Sequence, residues 1–355
     1  MICIDGYALS FQTATGIHRN TFEMLKELDK IVEPNTLEVV VPNDLNLGFE
    51  FKNIVVTKLK AMKMRRLRPI VFNNVTFKKY VKKNKRVSMD LLLTFPAFGC
   101  DIIMVYDTIP ELFPCNYITW KNKLWKHMFL KRQKKSIKKA SLILTDSNSA
   151  KSDIEKFYPS SKGKIEVVYC GWQHMLNVKE DESIIQRLSL EKGNYFFSLG
   201  SRFVHKNVKW VVSAAKQNPN EKFVVSGRKT KNDDGGEDVA NIIYTGYLSD
   251  EEIKALMHYC KAFIQPTLYE GFGLPPIEAM SVGARCIVSN VSSLPEIYGN
   301  SVWYIDPLKY EPIDLKSIMS TKIEDNQKVL DRFSWKESAK KLYSLLKTFQ
   351  ERKEK

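Results

Sequence analysis

The sequence predicts an α/β protein of two doubly wound domains, and three observations carry that reading. Its 355 residues exceed what one hydrophobic core usually covers. Short apolar runs bounded by turn residues alternate with helical patterns through both halves of the chain. Several of those runs are rich in Val and Ile and apolar on both faces, as strands of a helix-covered parallel sheet must be. A hydrophobic content of 44% with 11% aromatics excludes a disordered chain.

The opening "MICIDGYALS" begins directly with strand-like residues. It lacks a basic stretch followed by an apolar core, so a signal peptide is not expected. A helical pattern follows over 17–30. "LEVVVP" (37–42), "NIVVTKL" (53–59), "DLLLTFP" (90–96), "DIIMVYD" (101–107), "SLILTDS" (141–147) and "IEVVYCG" (165–171) are the strands expected of the first domain. Helices over 121–139 and 149–157 fall between the later ones. The polar "WQHMLNVKEDES" (172–183) is the expected linker. In the second half the strands are "NYFFSLGS" (194–201), "KFVVSGR" (222–228), "NIIYTGY" (241–247), "AFIQPT" (262–267) and "ARCIVSN" (284–290). Helices over 207–216, 249–259 and 276–282 separate them. The expected domains are 1–171 and 172–333, with a last helix in 334–355.

Net charge is +15, and its distribution is uneven. Residues 1–175 hold 29 Lys and Arg against 16 Asp and Glu, and the remainder is nearly balanced. An anionic partner for the first domain follows. The six cysteines are scattered with no C-x-x-C pair, which reads as reduced core thiols of a cytoplasmic protein. No apolar run approaches a membrane span. A dinucleotide G-x-G-x-x-G, a P-loop, an Asp-x-Asp and any zinc-spaced His/Cys cluster are all absent from the sequence. Metal-independent chemistry without a cofactor is the resulting expectation.

The stretch "YEGFGLPPIEAM" (269–280) sets two carboxylates, Glu270 and Glu278, around a glycine pair and a proline pair. In a doubly wound sheet it falls at the carboxyl end of a strand, where ligands bind. Gly271 and Gly273 let backbone amides approach a ligand. Pro275 and Pro276 open a helix, with Glu278 expected in its first turn facing the same crevice. The plainer alternative is that Glu278 complements the helix dipole.

"LYEGFGLPPIEAMSVGARCIVSNVSSLPEI" resembles the glutamate-x7-glutamate signature of retaining GT-B-fold glycosyltransferases of family 4, the group 1 glycosyltransferases of bacterial polysaccharide type. "SLGSRFVHKN" looks like that family's phosphate-binding segment, with Arg202 and Lys206 at the basic positions. "YTGYLSDEEIKALM", "LTDSNSAKSDI" and "TGIHRNTFEML" match further family segments in the expected order, so the resemblance covers nearly the whole chain. It implies two Rossmann-like domains facing a central cleft, with the last helix crossing back to the first. The first domain would bind acceptor and the second a nucleotide-sugar donor. Glu278 would hold the ribose hydroxyls. Glu270 would hold the donor sugar, together with backbone around Gly271, Phe272, Gly273 and Leu274. Arg202 and Lys206 would stabilise the leaving diphosphate. Gly16 would close on the diphosphate from the first domain.

"VYDTIPELFP" matches the family's His-Asp segment with Asp107 kept and Tyr106 where many members carry His. Tyr cannot carry a proton near neutral pH as His can, so Asp107 does the polar work or no such carrier is needed. A turn-capping role for Asp107 before Pro110 is the alternative. Tyr106 and Arg19 are assigned to the acceptor side, although a helical surface Arg fits Arg19 equally.

The implied reaction moves a hexose or deoxyhexose, with mannose and rhamnose favoured, to a glycan acceptor that is lipid-linked, for example through a polyprenyl diphosphate. Basic tracts "KLKAMKMRRLRP", "TFKKYVKKNKR" and "TWKNKLWKHMFLKRQKKSIKK" would hold the first domain to the inner face of an anionic membrane. In the last tract Leu124, Trp125, Met128 and Phe129 share one helix face, expected to pack on the core. Three other readings stay open. A nucleotide-sugar epimerase of the same fold would consume donor without a glycan acceptor. A polyanion-binding module would show salt-sensitive binding indifferent to Glu278, and nucleic acid itself is not an expected partner. An NAD oxidoreductase would share the α/β alternation but lacks the glycine fingerprint.

Overall fold

The computed structural model describes residues 1–10, 16–64, 67–91, 99–117, 119–200, 203–229 and 239–354. The chain divides into two compact units. The first comprises Met1–Glu111, Tyr117–Gly171 and Trp335–Lys355; the second comprises Leu112–Asn116 and Trp172–Ser334. Each is an α/β unit around its own parallel sheet.

In the first unit the described strands are β1 (Ile2–Asp5), β2 (Leu37–Pro42), β3 (Val55–Leu59), β4 (Val87–Asp90), β5 (Ile102–Met104), β6 (Leu142–Thr145) and β7 (Ile165–Val167). They pair in parallel in the order β3-β2-β1-β4-β5-β6-β7. β1, β2 and β6 are buried along their whole length, which explains why their sequences show no polar alternation. Of the expected strand over 90–96 only Asp90 and Leu91 are described. β4 ends on Asp90, and 92–98 fall outside the described residues. Ser88 disguises β4 in the sequence: it is buried because its N–H and hydroxyl both donate to Asp101 Oδ2, at 2.9 and 2.7 Å.

The last helix, Trp335–Glu354, belongs to this first unit. Trp335, Ala339, Leu342 and Leu346 are buried along one stripe. The Tyr343 hydroxyl accepts from the Glu33 N–H at 3.3 Å, and Lys347 pairs with the Glu33 carboxylate at 2.9 Å.

The helix Trp120–Lys139 departs from expectation. Its Thr119 cap accepts from the Asn122 N–H, and its buried residues are Phe129, Gln133, Ser136 and Ile137. That spacing turns the carboxyl-terminal half to the core. Of the four apolar residues expected to pack inward, only Phe129 does. Leu124 is 52% exposed, Met128 is exposed, Trp125 lies at the rim, and Trp120 is 70% exposed.

The second unit carries β8 (Phe196–Ser198), β9 (Phe223–Val225), β10 (Ile242–Tyr244), β11 (Ala262–Gln265), β12 (Cys286–Ser289) and β13 (Trp303–Ile305). All pairs are parallel, in the order β10-β9-β8-β11-β12-β13. β13 was not foreseen. Trp210, Val211, Phe196, Phe223 and Ile264 lie in one apolar cluster of this unit. The strand order reverses between β8 and β11. A crevice at the carboxyl ends of those two strands is where such sheets take ligands.

Two boundary expectations need correction. Leu112–Asn116, placed in the first domain by sequence, groups with the second unit. Asn116 explains this: its Oδ1 accepts from the Val204 N–H at 3.0 Å, and its Nδ2 lies 3.1 Å from His205 Nδ1. The expected linker is not loose chain either. Gln173–Asn177 form a 3-10 turn within the second unit.

Candidate functional site

Two loops meet at the β8/β11 switch point. The first leaves β8 through Gly200, where a Cβ would stand 2.2 Å from the Ser226 carbonyl oxygen, so only glycine fits. Arg202 lies outside the described residues. The loop resumes as a 3-10 turn, Val204–Lys206, and ends on Asn207 in the left-handed region. The Asn207 amide donates to the carbonyls of Pro266 and Pro307, both at 2.9 Å. Its oxygen accepts from the Tyr310 hydroxyl.

The second loop leaves β11 and is fastened to the first through one carbonyl. The His205 oxygen accepts from the Thr267 hydroxyl at 2.8 Å and from the Leu268 N–H at 2.7 Å. With both loops fixed, Lys206 Nζ reaches Glu270 Oε1 at 2.7 Å. Gln265, the last residue of β11, donates to the same oxygen at 2.7 Å. Glu270 is only 8% exposed, while Lys206 keeps part of its side chain in solvent. A buried carboxylate with a cation and an amide on it is held in one orientation.

Beyond Glu270 the chain turns into the helix Leu274–Ser281. Gly273 caps it with φ 88°, and a Cβ there would stand 2.5 Å from Leu294 Cδ2. The loop's polar backbone is tied to the 292–298 segment. The Glu270 N–H donates to Ser292 Oγ at 2.9 Å. The Ser293 hydroxyl lies 3.1 Å from the carbonyls of both Glu270 and Phe272. The Tyr298 hydroxyl donates to the Gly273 carbonyl and accepts from the Ile277 N–H. Burial above all pushes that hydroxyl's pKa up, with Glu278 and Glu270 among the smaller contributions. The Phe272 ring is buried edge-on against Phe333, so its side chain anchors the loop.

Glu278 is the fifth residue of this helix and stands in its second turn, not the first as expected, because the helix begins at Leu274. It is buried, and its Oε1 lies 2.9 Å from His174 Nε2. Sequence reading singled out Glu270, Lys206, the 271–274 backbone and Glu278. It missed Gln265, Ser292, Ser293, Tyr298 and His174, which hold those groups in place. All but the half-buried Ser292 are polar residues buried in the fold, a pattern visible only once burial is known.

His205, also missed, is buried between the rings of Phe113 and Phe203, each 5.7 Å from it. Burial, reinforced by the charge of Lys206, lowers its pKa to about 4.

Within the first unit, Tyr106 is buried and its hydroxyl donates to the Leu91 carbonyl at 3.3 Å. Burial pushes that hydroxyl's pKa far up. It is a core residue here, not an exposed acceptor contact. Asp107 Oδ1 accepts from the Ile109 N–H at 2.9 Å, the turn-capping geometry. Gly16 begins the helix Gly16–Asp29 with open space where its Cβ would be, and Arg19 is half-buried in the same helix.

Residues 179–342 match the family model for glycosyl transferases group 1. Over that stretch the chain is similar to the group 1 glycosyl transferases. The chain is 26% identical over 312 residues to the O-antigen chain mannosyltransferase RfbU of Salmonella typhimurium (strain LT2), covering 83% of this chain and 84% of that protein. It is 28% identical over 247 residues to O-antigen chain mannosyltransferase B of Escherichia coli, covering 65% of this chain and 60% of the relative. In fold it is similar to a sucrose-phosphate synthase from Thermosynechococcus elongatus, with a TM-score of 0.72, 16% identity and 98% of each chain covered. The two-sheet α/β architecture of the chain is thus of the GT-B fold class.

Proposed function

We propose that this chain is a retaining, family 4-type enzyme that moves a hexose from a nucleotide-sugar donor to a glycan acceptor in cell-surface polysaccharide synthesis. Mannose is the favoured sugar, because the two similar proteins above are named as mannosyltransferases; rhamnose is second. The observation that carries the reading is the meeting of Lys206 and Glu270 at 2.7 Å, on two loops at the switch point of the second sheet.

A donor at this point offers three kinds of group, and the site has a chemistry for each. Its ribose and sugar hydroxyls are donors, suited to the carboxylates Glu278 and Glu270. Its diphosphate is an anion that gains charge as the glycosidic bond breaks, and Lys206 can meet that charge with Arg202. The fixed turn at 271–274 opens a helix whose amino-terminal dipole end favours phosphate. With side-chain cations assigned to this role, no metal is invoked. Attack on the same face as the departing diphosphate, whose oxygen takes the acceptor proton, gives retention without an enzymic nucleophile. The first unit is then the acceptor domain, with Gly16, Arg19 and Asp107 as its candidate contacts.

The acceptor is assigned to a lipid-linked glycan at the inner face of the cell membrane. Support comes from the basic excess in residues 1–175 and from Trp120, Leu124 and Met128, which stand exposed on a lysine-rich helix. Among the described residues no helix is long and apolar enough to cross a membrane.

A thermal-shift screen against UDP, GDP, dTDP and their sugars tests the donor reading. A nucleotide at 100 times its Kd stabilises by about 2.7 kcal/mol. Glu278→Ala is expected to abolish the shift. An unchanged shift in that variant would remove the ribose assignment.

A further inference from the structure

His174 lies in the segment that reads as a linker in the sequence, yet the fold treats it as part of the donor unit. The turn Gln173–Asn177 is pinned on both sides. Trp172 Nε1 donates to the Leu330 carbonyl at 3.0 Å, and Gln173 Nε2 to the Phe333 carbonyl at 3.1 Å. On the other side Lys254 Nζ donates to the carbonyls of Met175 and Val178, both at 2.8 Å. Met175 is buried beneath the turn. Rotation of the turn would break several of these bonds together, so the imidazole is presented from a fixed base.

What it is presented to is Glu278. The two side chains meet at 2.9 Å, and each is more than nine-tenths buried. A carboxylate has about four lone-pair sites on two oxygens, and the bond from the imidazole to Oε1 fixes its plane. A carboxylate that is to accept from a ribose diol needs that fixing, because a site loose by an ångström loses most of its binding advantage.

We propose that His174 is a positioning residue for the donor: through Nε2 it sets the plane of the Glu278 carboxylate so that the nucleoside's ribose hydroxyls can donate to it. This rests on the ribose reading of Glu278. In this arrangement His174 touches no substrate and acts only through Glu278. Its effect is therefore confined to nucleotides that carry the hydroxyls.

That confinement is measurable. Binding of ADP, CDP, GDP and UDP, each as the ribo and the 2′,3′-dideoxy form, is measured by titration calorimetry on the full chain. Comparison is among wild type, Glu278→Ala, His174→Phe and His174→Gln. Wild type is expected to prefer the ribo form by roughly tenfold to a hundredfold, the span of hydrogen bonds to a charged group. His174→Phe should erase most of that preference while leaving dideoxy binding within about twofold. His174→Gln, whose amide can donate from a similar distance, should restore part of it.

Equal weakening of both forms in His174→Phe would show a packing role only and overturn the proposal. So would a preference that survives there while Glu278→Ala loses it, an outcome that leaves the ribose reading standing. A wild-type chain indifferent to the hydroxyls removes both. Should His174→Phe fail to fold, His174→Asn replaces it, its amide too short to reach, with the same outcomes.

Discussion

At the 205–206 turn, two neighbouring residues face opposite electrostatic fates. Lys206 extends outward to meet Glu270 at 2.7 Å. His205 is folded inward between Phe113 and Phe203, where burial and the adjacent ammonium disfavour a second cation. With its pKa lowered to about 4, the folded chain holds this imidazole neutral where the unfolded chain, near 6.5, protonates it. Between those values the unfolded state binds the extra proton, so stability rises with pH across the window and falls on acidification. The loss on going from pH 7 to pH 4 is on the order of 3 kcal/mol from this group. Urea melts of wild type and His205→Gln at pH 7 and pH 4.5 check it. The variant should lose clearly less stability than wild type over that interval, and parallel losses would remove the assignment. The same two residues show what a sequence reveals at this scale. Lys206 was legible because the family resemblance marks its position. His205 was not, because its role comes from a five-residue segment, Leu112–Asn116, that joins its unit from far away in the chain.

The helix Trp120–Lys139 shows the same division for a whole element. Its existence and its bounds were readable within a residue, from four apolar residues on one face of a lysine-rich run. Its facing was not. Four apolar residues over two turns satisfy a core stripe, but packing is decided by Phe129, Gln133, Ser136 and Ile137, two of them polar. The amino-terminal half is left with Trp120, Leu124 and Met128 in one exposed row, among Lys121, Lys123 and Lys126. Water is a poor solvent for such a row, and an anionic bilayer interface suits both the rings and the lysines. Co-sedimentation should therefore show the protein on vesicles containing phosphatidylglycerol and not on pure phosphatidylcholine. Replacing Trp120, Leu124 and Met128 together with Ser should abolish that binding without lowering the melting temperature. Each Lys→Gln change at 121, 123 or 126 should weaken it by about 1 kcal/mol, close to fivefold. Vesicle binding that ignores all of these changes would exclude this face. Self-association of wild type that the triple Ser variant abolishes would identify a second copy as the partner instead.

For the whole molecule, the alternation of strands and helices sufficed to read two parallel sheets, since chain order maps onto strand order by few rules in such folds. The assignment of chain to unit was less legible, because tertiary contacts alone decide it. The last helix shows why: it follows the second unit in sequence and contributes its buried stripe to the first. Trp335, Leu342 and Leu346 are nearly inaccessible, and burial of each is worth about 1.5–3 kcal/mol. Ending the chain after Ser334 should thus cost the first unit on the order of 5 kcal/mol, a large share of a domain's stability. The second unit keeps its sheet, its 292–298 support and the Lys206–Glu270 and His174–Glu278 pairs, all within residues 172–334. Scanning calorimetry of the truncated chain should show one transition displaced to lower temperature and the other little changed. The transition that stays should be the one that a bound nucleoside diphosphate raises. If truncation instead abolishes nucleotide binding along with the displaced transition, donor recognition does not reside in the second unit by itself, and the division of labour between the two sheets proposed above fails.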